Sequence, residues 1–77
     1  MRHIIDIFDI NTDSLLKSVD IPSHREKDLA QLMGWQTPED EIYGYDLSFQ
    51  QVKILEEWTG MKIDLPDSIA QLIGVED

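Results

Sequence analysis

Residues 3–10, HIIDIFDI, constrain this chain more than any other stretch. Ile4, Phe8 and Ile10 fall on one parity, and Ile5 and Ile7 fall on the other. Successive side chains of a strand point to opposite faces. Apolar groups on both parities therefore predict a central strand, covered on more than one side. Residues 11–14, NTDS, have turn composition, because Asn and Asp bond their own backbone and tolerate left-handed conformations. Residues 15–21, LLKSVDI, alternate, with Leu15, Val19 and Ile21 on one face and Ser18 and Asp20 on the other. The N-terminal third thus reads as a β-hairpin.

Helical signals follow. Pro22 ends the second strand, and Ser23 with Glu26 three residues on predicts a capping box. Leu29, Leu32 and Met33 recur at helical spacing, and Gly34 closes that helix. Residues 35–40, WQTPED, read as a loop. Residues 41–47, EIYGYDL, read as a third strand with Tyr43 and Tyr45 on one face, and Gly44 marks a bulge or a close backbone approach. Ser48 and Gln51 form a second capping box, before an apolar stripe of Phe49, Val52, Leu55 and Trp58 that ends at Gly60. Residues 62–65, KIDL, are a fourth strand or an extended link. Asp64 and Pro66 then suit the start of a short C-terminal helix, with Ile69, Leu72 and Ile73 inward and Gly74 as its stop. The expected fold is α+β, one domain over residues 1–77. A small antiparallel sheet of three strands, or four, carries two helices on one face and a short helix at the C-terminal end.

Charge narrows the function. Sixteen carboxylates against six Lys and Arg give a formal charge of −10. That opposes direct binding to nucleic acid, whose phosphates demand Lys and Arg, and docking on anionic membranes. It favours a basic partner, while also serving solubility. No apolar run approaches the roughly 18 residues of a membrane span, and Asp6 and Asp9 interrupt what would be the core of a signal peptide. Cysteine is absent. The expectation is a soluble cytoplasmic protein.

Nothing in the sequence assembles a reaction. His3 lies at the frayed start of a strand and His24 at a helix N-terminus. Neither has a Cys or a motif-placed Ser beside it, and the four glycines are scattered, not gathered into a phosphate loop. No catalytic residue and no cofactor site are assigned, and the chain is not expected to be an enzyme. Asp9, Asn11 and Asp13 alternate as a calcium loop begins, with Asp20 at the twelfth position, but Ser14 stands where that loop needs Gly. The stretch is read as a hairpin turn, and no metal site is assigned.

Residues 38–48, PEDEIYGYDLS, are the binding candidate. Glu39, Asp40, Glu41 and Asp46 surround Tyr43 and Tyr45. Tyr supplies a large rigid ring at low entropy cost with a hydroxyl to spare, and carboxylates pair with Lys or Arg. These six residues are the expected partner-binding set. In the competing reading the tyrosines complete the core and the acids form a solvated loop. Trp58 is expected in the core, and Trp35 either there or at the surface as an anchor.

The chain as a whole resembles small acidic bacterial immunity proteins of polymorphic and contact-dependent growth-inhibition toxin systems. The resemblance lies in the opening HIIDIFD, the block MGWQTPEDEIYGYDLS and the following QVKILEEW. It covers most of the chain through texture and order, without a diagnostic motif. It implies one-to-one binding of a basic cognate toxin domain, often a nuclease, and inhibition by covering the toxin's active site. The alternative is a non-inhibitory interaction module, such as an adaptor or small subunit.

Overall fold

A computed structural model describes residues 1–76. Four strands form one antiparallel sheet: β1 (Arg2–Asp9), β2 (Leu15–Asp20), β3 (Tyr45–Asp46) and β4 (Ser68–Val75), in the spatial order β2-β1-β4-β3. Two helices, α1 (Glu26–Met33) and α2 (Phe49–Thr59), complete an α+β domain. The strand expected to be central is central, since β1 pairs with β2 on one side and β4 on the other. The hairpin turn is held by Asp9, whose carboxylate accepts from the amides of Asn11 at 2.7 Å and Thr12 at 3.1 Å. Among the described residues, no helix is long and apolar enough to cross a membrane.

The core lies on one face of the sheet. Ile5, Ile7, Val19 and Leu72 from the strands meet Leu29 of α1 and Val52 and Leu55 of α2. Trp35 and Trp58 pack against this cluster partly buried. Phe49 departs from the expected stripe: it is the first residue of α2 and is exposed, with Lys53 over its ring.

The C-terminal helix is replaced by a strand. Residues 68–75 pair with β1 in eight successive cross-strand pairs, from Asp9 with Ser68 to Arg2 with Val75. Ile69, Leu72 and Ile73 fit a helical stripe, but in the strand Leu72 enters the core while Ile69 and Ile73 take the opposite face. Short apolar runs satisfy both periods. A helix of this length is marginal alone, whereas β-branched residues beside an open edge of β1 gain a full ladder. Pro66 serves the turn before the strand, where Asp67 adopts φ 52°. Residues 62–65 form a link and not a strand, because the amides of Ile63 and Asp64 bond the Glu56 carboxylate of α2 at 2.8 and 2.9 Å instead of a sheet edge.

The third strand is shorter than expected. Pro38 opens a 3₁₀ helix over Pro38–Ile42, so only Tyr45 and Asp46 join the sheet, opposite Leu72 and Gln71. The two capping boxes also part company. At Ser48 the box forms, with the Gln51 amide donating to the Ser48 hydroxyl and the Ser48 amide donating to the Gln51 side chain. Ser23 makes no cap. It begins a 3₁₀ turn, Ser23–Arg25, and the Glu26 carboxylate turns to His3.

Two tests follow from this architecture. Ser48→Ala should cost about 1 kcal/mol in chemical denaturation, while Ser23→Ala stays within about 0.5 kcal/mol, as for an ordinary surface position. The second concerns acid. The amide of Asp64, then that of Ile63, hold the Glu56 carboxyl down to about 2. A carboxyl depressed by folding stabilises fully above its ordinary value of 4.5 and loses that contribution as pH falls towards about 2. Urea melts across that window should show stability declining in the native chain and declining less in Glu56→Gln.

Candidate functional site

Four elements meet behind the acidic stretch. His3, on the core face of β1, is only 1% exposed. Its Nδ1 lies 2.8 Å from the Glu26 carboxylate of α1, and its Nε2 lies 3.1 Å from the backbone carbonyl of Glu41. Both ring nitrogens thus face an acceptor oxygen. His3 is therefore no frayed terminal residue. It joins the first strand to the first helix and to the 3₁₀ segment. Its position at the head of a strand concealed this, because a buried polar partner 38 residues away leaves no mark in local spacing.

The rings continue the connection. The His3 ring packs tilted against Trp35 with centroids 5.2 Å apart, and Trp35 packs tilted against Tyr45 at 5.8 Å. The Tyr45 hydroxyl donates to the Asp40 carbonyl at 2.6 Å. Gly74, expected as a helix stop, instead sits in β4 beside this segment. A Cβ there would come within 2.6 Å of the Glu41 carbonyl oxygen and 2.5 Å of Met1 Sδ. The close backbone approach looked for at Gly44 occurs at Gly74.

These contacts divide the six expected partner residues. Asp40 faces its own chain: its carboxylate accepts from the amides of Gln36 at 2.8 Å and Thr37 at 3.1 Å, which lower its pKa. Tyr45 is half-buried with its hydroxyl bonded, and Glu41 lends its carbonyl to His3. Glu39 and Asp46 are exposed, and so is Tyr43 at 57%. Ile42, at 55%, stands beside Tyr43. Asp46 accepts from the Gln71 side chain at 2.9 Å. The two tyrosines differ: Tyr45 is half-buried beside Trp35, and Tyr43 projects into solvent. Trp35 packs inward with Tyr45.

A family model described as a domain of unknown function, DUF7683, matches residues 2–72. The chain belongs to the DUF7683 family. The match runs from the first residue of β1 to the middle of β4 and takes in the whole acidic stretch. No curated protein and no solved structure matches this DUF7683 chain. Among the described residues, no three His, Asp or Glu side chains gather as a metal site would require.

What this arrangement offers chemically is a held surface. In the DUF7683 domain, Ile42 and Tyr43 project from a segment pinned by His3, Asp40, Tyr45 and the space at Gly74. Replacing His3 with Phe retains the ring and removes both hydrogen bonds. Leaving the Glu41 carbonyl and Glu26 without their donor should cost about 2 kcal/mol. Amide exchange should accelerate in residues 40–44 well before it does in α2.

Proposed function

We propose that the domain is an acidic immunity protein that binds a basic cognate toxin domain, of nuclease type, and neutralises it by covering its active site. It acts by binding and not by catalysis, and its setting is the cytoplasm. The observation that carries this reading is the exposed Ile42–Tyr43 pair, held on a braced segment between the carboxylates of Glu39 and Asp46. A bracing network reduces the ordering cost of association. A nuclease site must hold phosphates and so presents Lys and Arg. An acidic surface can occupy such a site without being a substrate. The charge of −10 extends that attraction beyond the contact and hastens encounter.

The six residues act in two ways on this reading. Glu39, Tyr43 and Asp46 meet the partner directly. Asp40, Glu41 and Tyr45 shape the segment that presents them, through the contacts described above. A non-inhibitory adaptor would use the same surface, and inhibition separates the two.

The test is co-expression with a basic toxin domain, taken from the C-terminus of a large secreted protein wherever the neighbouring upstream reading frame encodes one. Rescue of growth and a one-to-one complex are expected; complex formation without rescue would leave an adaptor. In surface plasmon resonance, Glu39→Gln and Asp46→Asn should slow association and reduce its salt dependence. Tyr43→Ala should speed dissociation, at a cost on the order of 2 kcal/mol, with its melt unchanged. Unaltered kinetics in all three variants would remove this stretch from the interface.

A further inference from the structure

We infer that the sheet face opposite the helices is a docking surface for a basic amphipathic helix of a partner protein, one of whose Lys or Arg side chains enters the hollow beside Phe8 and Ile69. The proposal does not rest on the toxin reading, and shares only Asp46 with it.

Cross-strand register places three rows on this face. Leu15, Phe8 and Ile69 align across β2, β1 and β4. Ser18, Asp6, Gln71 and Asp46 form the middle row, joined in pairs by Ser18 to Asp6 at 2.6 Å and Gln71 to Asp46 at 2.9 Å. Asp20, Ile4 and Ile73 form the third. Both helices bury their residues against the other face. Leu15 at 56%, Ile69 at 45% and the adjoining Ile10 at 51% are left open to water. One face of an antiparallel sheet commonly meets solvent, but its residues are then polar. An apolar row at the end of a polar face marks an interaction site.

The chemistry of the occupant follows from the hollow at that end. It measures about 310 Å³ and is lined by Phe8, Ile10 and Ile69 together with Asp9, Asp13 and Gln71. Among the described residues, neither Asp9 nor Asp13 has a Lys or Arg within ion-pair distance. An apolar floor below carboxylates that lack a cationic partner, although the Asp9 Oδ1 also accepts from the turn amides, suits a side chain with an aliphatic stem and a cationic head. Phe8 adds the possibility of a cation over its ring. Asp6, Asp20 and Asp46 extend the same sign across the face, against Arg2, which lies 4.0 Å from Asp20. A second copy of this chain would bring carboxylates against carboxylates, and nucleic acid would bring phosphates. A helix with Leu-type residues for the apolar row and Lys or Arg for the acids is complementary throughout.

The probe is a synthetic amphipathic helix of leucine and lysine, titrated into the isotope-labelled full chain at low ionic strength. Amide shifts are expected to concentrate in residues 6–13 and 69–73. Ile69→Ser should weaken binding on the order of tenfold, or about 1.4 kcal/mol. Asp13→Asn should weaken it and flatten its salt dependence. Asn tolerates the left-handed conformation of Asp13, at φ 60°, so this variant keeps the turn and carries the test if Ile69→Ser fails to fold. Glu39→Gln and Tyr43→Ala should leave the peptide's affinity unchanged, which separates this surface from the 38–48 stretch. Shifts spread over every acidic surface, equal binding of a leucine–glutamate helix, absence of binding, or sedimentation showing a dimer closed through this face would each overturn the proposal.

Discussion

The pairing of β1 with β4 is the constraint on which the rest of the domain depends. It joins residues 2–9 to residues 68–75, so almost the whole chain is enclosed in the loop it closes. Closing a long loop costs entropy that only the completed ladder and the apolar contacts beneath it offset. Ile5, Ile7 and Leu72 are fully buried at this junction, and α1 and α2 bury Leu29 and Leu55 against them. Without β4 the central strand would have an open edge and the helices would have half a floor. A domain this small has little apolar area in reserve.

The same pairing creates the candidate site. It sets Gly74 directly across from His3, and the missing side chain at Gly74 admits the Glu41 carbonyl to within reach of the imidazole. Trp35 and Tyr45 continue outward from His3 as a chain of tilted ring contacts on which the acidic segment rests. Acidic residues consequently differ in role over a few positions. Asp40 is turned inward to cap amides, while Glu39 and Asp46 face water. Glu56 is likewise absorbed in structure, fastening the link before β4. A net charge of −10 is thus not a uniform coat, since part of it holds backbone together and part remains open to a partner.

The two faces of the sheet are also unequal for a physical reason. Apolar residues on one parity of β1 pack under the helices, but among the described residues no third layer covers those on the other. Ile4, Phe8 and Ile73 on that side are half-buried, and Leu15, Ile10 and Ile69 stay wet.

The sequence by itself determined the α+β class, the N-terminal hairpin, the centrality of β1, the Ser48 capping box and the glycine stops at Gly34 and Gly60. Each rests on local rules: side-chain parity, turn chemistry, a hydroxyl three residues from its amide, and left-handed backbone at φ 72° and 69°. It also marked out the acidic tyrosine stretch, but not which tyrosine faces outward. Tertiary structure alone decided that Ser68–Val75 is a strand, because its periodicity fits helix and strand equally and the free edge of β1 lies far away in sequence. It likewise decided that Glu26 serves His3 instead of capping with Ser23, and that His3 holds Glu41. A buried imidazole takes whichever acceptors the folded chain brings to it, and those acceptors stand 23 and 38 residues from it, beyond the reach of any local pattern.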